Sequence, residues 1–297
     1  MCVIAAKYFK GVGWVGAKNR DRNYLPTVNI VQSNRTGTQR LYLDDEKTRY
    51  TEGLNEYGVS ILSASLSIKS DEKEGDKAVK NRRASNYMSP DGKDIRDALL
   101  SKTIKGALDL LIERELSGCT LIFDQKECYL LEGGFTVRKK DVDDDNPRDY
   151  IYKVEKVKDY VVRSNHGILL PQLGYKKDTD DEHFKHARKS SEERLRIARE
   201  EVDKTTDALE LMNALSTTPN DDSFMNPIRT GDTKKEDMVT TGQILLIPKE
   251  KTMHYRPIFS EVNFKYSKLN GPDAKTFFEI VSSKKLLGFR EFVDEQN

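Results

Sequence analysis

Blocks of strand-like and helix-like segments follow one another along the chain, and their order restricts the fold more than any other feature of the sequence. Apolar and β-branched residues at strand spacing predict strands, and apolar residues three and four positions apart predict helices. The predicted strands are 2–9, 14–17, 59–68, 119–123, 127–131, 151–157, 159–163, 243–248, 253–259 and 262–266, and the predicted helices are 94–100, 103–115, 190–202 and 206–215. Such blocks favour a layered α+β fold with antiparallel sheets, because a doubly wound sheet requires strict β-α-β alternation. Since no internal repeat and no clear linker interrupts residues 1–297, we expect a single domain.

Two polar segments are predicted to lie outside these elements. Residues 51–58, Thr-Glu-Gly-Leu-Asn-Glu-Tyr-Gly, are interpreted as a loop. Residues 68–93 are rich in Lys, Asp, Asn and Ser and have no sustained period, so they are interpreted as an exposed excursion. Whether this excursion serves as a lid, as an interface or as neither stays open.

Composition and charge exclude several classes of partner. The 297 residues are 33% charged and 36% hydrophobic, and no stretch approaches the roughly 18 consecutive apolar residues of a membrane span. The start, Met-Cys-Val-Ile-Ala-Ala-Lys, is too short an apolar run for a signal peptide, so we expect a cytoplasmic protein. Fifty basic and 49 acidic side chains give a net charge of +1, and no overall field would attract nucleic acid or an anionic membrane.

The sequence predicts neither a metal ion nor a cofactor. Its three cysteines form no Cys-x-x-Cys pair, and His183 and His186 have no evident third ligand. Residues 141–146 resemble a calcium loop in part, but no glycine stands at the sixth position. The glycine pairs precede no phosphate-binding helix pattern.

Cys2 combines two reactive groups in one residue once the initiator methionine is removed. Its thiol would be the nucleophile, and its free α-amine, which titrates near pH ~7.7 to 8.0, would take the thiol proton directly or through a water. The alternative is that Cys2 only begins a buried strand, since free cysteine is among the most buried residue types. Position alone favours this second interpretation.

A dense polar cluster, residues 16–24, follows one hairpin later. Strand alternation places Lys18 and Arg20 on one face and Asn19 and Asp21 on the other. Asp21 near the amine would orient it, and Arg20 would favour the thiolate and bind a carboxylate or carbonyl oxygen of the substrate. A solvated hairpin end with surface charges is the alternative.

Several motifs occur in an order that resembles a known family. They are the Met-Cys start, Asn19-Arg20-Asp21 at the end of a strand, Glu52–Gly58 (Glu-Gly-Leu-Asn-Glu-Tyr-Gly), Val161–Gly167 (Val-Val-Arg-Ser-Asn-His-Gly) and Ser190–Arg194 (Ser-Ser-Glu-Glu-Arg). Together they resemble the cysteine amino-terminal nucleophile (Ntn) hydrolases of the choloylglycine hydrolase, penicillin V acylase and acyl-coenzyme A:6-aminopenicillanate acyltransferase group. The Asn-Arg-Asp wording is also similar to the transport and Golgi organisation type.

The resemblance implies a four-layer αββα fold in which Cys2 attacks a linear amide of a small N-acyl substrate and forms a thioester. It implies that Asp21 holds the α-amine, that Asn165 donates to the oxyanion, and that Arg194, in the first turn of the helix 190–202, stabilises charge beside Cys2. His166 would contact a substrate or leaving group, although a histidine after a strand is more often a structural hydrogen-bonding residue.

Two departures from the family pattern are relevant to the activity. The bile-salt members have an arginine in place of Lys18 and an apolar residue in place of Arg20, and they have an oxyanion asparagine in place of Ser65. Hydrolysis, acyl transfer to a second amine, and a catalytically silent binding protein all stay open. A glutamine amidotransferase would require an ammonia-accepting domain that these residues do not evidently contain, and assembly into a homo-oligomer is left undecided.

Overall fold

Two stacked β-sheets form the centre of the molecule in a computed structural model that describes residues 2–34, 37–66, 90–135, 149–174, 182–231, 238–266, 280–282 and 290–291. The strands in these ranges are β1 (Cys2–Phe9), β2 (Gly13–Arg22), β3 (Thr27–Ser33), β4 (Arg40–Asp45), β5 (Thr51–Asn55), β6 (Ser60–Ala64), β7 (Gly118–Phe123), β8 (Cys128–Phe135), β9 (Tyr150–Lys156), β10 (Tyr160–Arg163), β11 (Val239–Ile247), β12 (Thr252–Pro257), β13 (Glu261–Tyr266), β14 (Ile280–Ser282) and β15 (Arg290–Glu291). The helices are α1 (Pro90–Ala98), α2 (Ile104–Glu113), α3 (Glu182–Lys204) and α4 (Ala208–Ala214).

Both sheets are mainly antiparallel. The seven-stranded sheet has the order β10-β1-β2-β11-β12-β14-β15, and the eight-stranded sheet has the order β13-β3-β4-β5-β6-β7-β8-β9. The two parallel pairs among these strands are β12 with β14 and β13 with β3. Strand β1 lies between β10 and β2, so residues of both neighbours reach its first residue.

Each sheet packs on the other sheet with one face and on helices with the other. One apolar cluster fills the space between the sheets and includes Ile4 of β1 and Leu62 of β6. A second cluster joins the outer face of the seven-stranded sheet to α3 and α4, and a third joins the eight-stranded sheet to α1 and α2. The layers are therefore αββα, which confirms the predicted α+β fold class. Within the described ranges, none of the helices is both long and apolar enough to span a membrane.

The interpretation of residues 51–58 as a loop was wrong for 51–55 and correct for 56–58, which lie outside the strands. Thr51–Asn55 forms β5, which pairs with β4 and β6 and is buried along its whole length. A Cβ on Gly53 would lie 2.2 Å from the carbonyl oxygen of Leu41, so the close approach of β5 to β4 at this position requires glycine. The polar residues of β5 concealed the strand, because their partners come from distant segments.

Helix α3 begins eight residues earlier than predicted. The charged residues 182–189 form its first turns and are supported by pairs such as Arg188 with Glu192, whose Nε and Oε1 atoms lie 2.6 Å apart. Arg194 consequently lies in the middle of the helix and not in its first turn.

Two predicted segments fall mainly outside the described residues. The last four residues of the predicted excursion 68–93 belong to α1, and residues 68–89 lie outside the described ranges. The calcium-like segment 141–146 also lies outside them.

Candidate active site

Cys2 begins β1 with its side chain on the face that meets the second sheet. Alternation along β1 sends Val3 to the cluster under the helices and Cys2 and Ile4 to the cluster between the sheets. Only 5% of Cys2 is exposed, and Arg20 of β2 lies directly opposite it. The thiol is thus enclosed by residues of β2 and of the facing sheet.

The backbone nitrogen of Cys2 is held by Asn165, which lies two residues after β10. Cys2 N donates to Asn165 Oδ1 over 2.9 Å, and Arg194 Nη2 donates to the same oxygen over 3.1 Å. Asn165 Nδ2 donates to the carbonyl oxygen of Ser65 over 2.8 Å, and the backbone N–H of Asn165 donates to Ser191 Oγ over 2.9 Å. Three partners therefore fix the orientation of the Asn165 side-chain amide, and Ser191 holds its backbone.

Asp21 lies behind this arrangement and is linked to it by Arg194. Arg194 Nη1 donates to Asp21 Oδ2 over 3.2 Å, and Thr240 Oγ1 donates to Asp21 Oδ1 over 2.9 Å. Arg229 Nε lies 3.8 Å from Asp21 Oδ2, and the four side chains are buried. A β-bulge between Thr240 and Gly242 lies beside Asp21 in the ladder of β2 and β11. Bulges are common next to active sites, where they change the direction in which a side chain points.

The division of roles differs from the one the resemblance implied. Asn165 was expected to donate to an oxyanion, but its Nδ2 donates to Ser65 and its Oδ1 holds the Cys2 nitrogen. Asp21 was expected at the amine, and its hydrogen bonds join it to Arg194 and Thr240.

Lys18 and Arg20 lie on the thiol side of the sheet, where they form ion pairs with Glu52 of β5. Lys18 Nζ bonds Glu52 Oε1 and donates to the carbonyl oxygen of Ser63 over 2.6 Å. Arg20 Nε lies 3.3 Å from Glu52 Oε2, and Arg20 Nη2 lies 3.4 Å from Asp45 Oδ2. These side chains are at most 1% exposed, so they are not a solvated hairpin end. Asn19 and Asp21 face the helices, as strand alternation predicts.

These charges, together with Arg22, favour a thiolate at Cys2. We call this set the inner-face cluster: Lys18, Arg20, Arg22, Asp45 and Glu52. It contains three cations and two carboxylates, and a buried charge is costly unless it is compensated. Burial raises the pKa of the Cys2 thiol, but Lys18, then the positively charged amino terminus and then Arg22 outweigh this effect, and the pKa lies below its ordinary value. The negative charge of one Cys2 thiolate balances the excess positive charge of the cluster.

The other two cysteines have the opposite electrostatics. Burial raises the pKa of Cys119, and the nearby Glu132 carboxylate raises it further. Burial and then Asp124 raise the pKa of Cys128. Cys2 is the cysteine that its surroundings activate, because thiolates carry the reactivity.

Asp45 makes the stability of the inner-face cluster dependent on pH. Burial alone would raise the pKa of Asp45, but Arg20, Arg22 and the backbone N–H of Thr48 lower it from 3.8 to about 2. The carboxylate thus stabilises the fold above pH ~4, and this contribution is lost as the pH falls toward 2. We expect Asp45→Asn to lower the free energy of unfolding at pH 7 by roughly 2 kcal/mol, about 1.4 kcal/mol for each pKa unit.

Urea unfolding of the parent protein and Asp45→Asn at pH 7 and pH 3 measures this effect. The difference between the two should shrink at pH 3. Asp109→Asn, at an exposed position of α2, is the matched control and should leave both curves unchanged. A difference for Asp45→Asn that is equal at both pH values would contradict the assignment.

Ser65 and His166 lie beside the site in different ways. Ser65 is exposed just after β6, and its carbonyl oxygen contacts Asn165. His166 Nδ1 lies 2.7 Å from Ser191 Oγ, and burial lowers the pKa of the ring to about 4, so the ring is neutral at pH 7. His166 also lines an open groove of about 460 Å³ between β10 and α3, bordered by Leu195. This groove is on the helix side of the sheet, whereas the thiol is on the other side.

Five residues of the arrangement were not predicted from the sequence as site residues, namely Arg22, Asp45, Glu52, Arg229 and Thr240. Arg22 shares the period-two face of Lys18 and Arg20, so alternation could have identified it. Glu52 stood in a quoted motif that was interpreted as a loop. Thr240 and Arg229 reach Asp21 only through the pairing of β11 with β2, for which no local signal exists.

Comparisons with known proteins give structural likeness only. No protein-family model matches the chain, and no curated protein matches it. A Caenorhabditis elegans N-acylethanolamine-hydrolyzing acid amidase ortholog is 14% identical with a TM-score of 0.47, over 84% of this chain and 93% of that chain. The C2A mutant of a conjugated bile acid hydrolase from Clostridium perfringens is 10% identical with a TM-score of 0.44, over 86% of this chain and 89% of that one. Penicillin V acylase from Agrobacterium tumefaciens is 10% identical with a TM-score of 0.39, over 86% of each chain.

Proposed function

We propose that this protein is an Ntn hydrolase of the choloylglycine hydrolase type, which cleaves a linear N-acyl amide with Cys2 after removal of Met1. The observation that carries the proposal is the bond from the Cys2 nitrogen to Asn165 Oδ1, which Arg194 also contacts. A buried cysteine that served only as core packing would not need a cationic cluster beside its sulfur.

The same arrangement suits an α-amine that acts as a base. Asn165 Oδ1 accepts one amine hydrogen and orients the lone pair. The positive charge of Arg194 disfavours a protonated amine, and the charge of Asp21 limits this effect. The amine can then exchange protons with the thiol near neutral pH.

The reaction proceeds in two balanced halves. The Cys2 sulfur attacks the carbonyl carbon, the C=O π electrons move to oxygen, and the amine takes the thiol proton. When the C–N bond breaks, the amine gives this proton to the leaving nitrogen, and a thioester remains. Water or a second amine then attacks the thioester, the α-amine takes its proton, and the thiolate leaves. The excess positive charge of the inner-face cluster stabilises the anionic stages.

Trapping of the acyl-enzyme tests the proposal. The purified protein is incubated with a panel of N-acyl p-nitroanilides, quenched in acid, and its peptides are analysed by mass spectrometry. We expect a chain that starts at Cys2 and carries the acyl mass on that residue. Retention of Met1, or acylation confined to other residues, would overturn the proposal. Addition of a primary amine then separates hydrolysis from acyl transfer by the product formed.

Lys18 should control the reactivity of the Cys2 thiol. Lys18→Met removes the excess positive charge of the inner-face cluster, so the pKa of Cys2 should rise. A rise of one unit makes alkylation at pH 7 about tenfold slower, because the thiolate fraction falls tenfold. A pulse of iodoacetamide across pH, followed by mass spectrometry of the Cys2 peptide, measures the rate.

Lys18→Arg keeps the charge and is the matched control, and it should retain the parent pH profile. Cys119 and Cys128 are internal references that should label more slowly than Cys2 in the parent protein. A parent-like profile for Lys18→Met would show that Lys18 does not activate the thiol.

A further inference from the structure

Strand β9 forms one edge of the eight-stranded sheet and is exposed over most of its length. It pairs with β8 on one side, and of the strands that the structure describes, none pairs with its outer side. Its last five residues, 152–156, are all exposed, and Tyr152 and Val154 are 48% and 39% exposed. An edge strand of this kind is a template for pairing with another strand.

The hydrogen-bond pattern fixes which residues of β9 are available for pairing. The backbone N–H of Val157 donates to the carbonyl oxygen of Cys128 over 2.9 Å, and these residues continue the register of β8 and β9. Bonded and non-bonded pairs alternate along an antiparallel ladder. Lys153 and Glu155 therefore bond to β8. The N–H and C=O groups of the residues between and beside them point outward from the sheet, namely those of Tyr152, Val154 and Lys156.

We propose that two copies of this chain pair through antiparallel β9 strands around a twofold axis at Val154. In this register Val154 faces its own copy, and Tyr152 faces the second copy's Lys156. These are outward-pointing pairs, so the contact forms six backbone hydrogen bonds. Lys153 meanwhile faces the second copy's Glu155, and the twofold axis repeats this opposite-charge pair.

The charges of β9 select this register. A shift of the centre to Lys153 would place that lysine opposite its own copy, and a shift to Glu155 would do the same with a carboxylate. Like charges directly opposite each other destabilise a strand pair, whereas opposite charges stabilise it. Lysines on an edge strand usually discourage pairing, but here the twofold axis brings the second copy's Glu155 opposite Lys153, while Lys156 lies opposite the second copy's Tyr152.

The dimer also covers apolar surface. Tyr152, Val154 and Lys156 share the helix-side face of β9, so Val154 contacts its copy, and the aliphatic stem of Lys156, whose ammonium pairs with Glu127 of its own chain, lies opposite the second copy's Tyr152. The self-complementarity of one short strand argues for a second copy as the occupant. A contact of this size should be weak and strongly dependent on concentration.

Sedimentation of the parent protein and variants across a concentration series tests the dimer. Val154→Pro removes the two central hydrogen bonds between the copies and leaves the ladder to β8 intact, because the Val154 N–H points outward. We expect this variant to stay monomeric where the parent dimerises. A parent that is monomeric at every concentration, or a Val154→Pro variant that dimerises like the parent, would overturn the proposal.

A charge exchange tests the register independently of any effect of proline on folding. Lys153→Glu and Glu155→Lys should each raise the dimer dissociation constant about tenfold or more, and the double exchange should restore the parent value. Lys204→Glu, at an exposed position of α3, is the control and should have no effect. If both single variants dimerise as strongly as the parent protein, this register is excluded.

Hydrogen exchange locates the contact. The amides of Tyr152, Val154 and Lys156 should gain protection with protein concentration, whereas those of Lys153 and Glu155 are protected in the monomer. Protection that is independent of concentration at Val154 would contradict pairing through β9.

Discussion

Cys2→Ala is expected to abolish amide cleavage and the acyl-enzyme while the fold stays intact. The variant removes the sulfur atom that is proposed to form the thioester but keeps a small apolar side chain in the core between the sheets. It also keeps the backbone nitrogen of residue 2 and its bond to Asn165, so this single substitution removes the nucleophile and leaves the base in place. Cys2→Ser should leave a weak remnant, because its hydroxyl is a poorer nucleophile than a thiolate at neutral pH.

Initial rates on the best N-acyl substrate, with unfolding curves of each variant, measure this effect. Cys128→Ala is the matched control, since it changes a buried cysteine of the same core, and it should retain full activity. Parent-like turnover by Cys2→Ala would end the proposal of an amino-terminal nucleophile.

A chain with one additional glycine before Cys2 isolates the contribution of the amine. The peptide N–H can still donate to Asn165, but the residue has no free amine at the nucleophile. We expect loss of turnover while rapid alkylation of the thiol persists, because Lys18 and Arg22 still lower the pKa of Cys2.

Asn165→Ala is expected to lower the rate of acylation by about 10² to 10³, because it misplaces the amine, and a positioned general base contributes roughly 10² to 10⁴-fold. The substitution removes the acceptor at the Cys2 nitrogen and one partner of Arg194. It also frees the Ser65 carbonyl oxygen. Single-turnover release of the leaving amine measures the chemical step without product release.

Asn165→Asp distinguishes the two roles considered for this residue. Aspartate keeps the acceptor for Cys2 N and Arg194 but loses the Nδ2 donor. If Asn165 acts by holding the nitrogen, Asn165→Asp should retain clearly more activity than Asn165→Ala. If it donates to an oxyanion, both variants should be equally impaired. Parent-like rates in both would remove Asn165 from the site.

Local patterns predicted the parts of the structure that depend on neighbouring residues. The period of two placed Lys18 and Arg20 on one face and Asp21 on the other, because alternation is a property of every strand. Runs of apolar residues predicted β1 and β7, because such a run is also a local property of the sequence. Strand β5 was missed because Glu52 is charged, and a charged residue is not expected in a buried strand. The charge of Glu52 is compensated only when Lys18 and Arg20 face it across the sheets.

The contacts around Asp21 and Asn165 could not be derived in this way. Thr240 meets Asp21 through a bulge in the register of two strands that are far apart in the chain. Asp21 accepts from Arg194 Nη1 and Asn165 accepts from Arg194 Nη2, and Arg194 reaches both from the middle of a helix that begins earlier than the apolar period indicated. Side-chain geometry of this kind is set by tertiary packing and not by propensity.

Strand β1 lies between two strands from different parts of the chain, and this position determines when the surroundings of Cys2 are completed during folding. Cys2 and Asn165 are 163 positions apart, and Asp21 and Thr240 are 219 apart. Contacts that close such long loops form slowly, because the chain entropy is lost before they stabilise anything. A nascent or partly folded chain therefore lacks the contact that holds the Cys2 nitrogen, and the surroundings of Cys2 are complete only when segments far apart in the sequence have met.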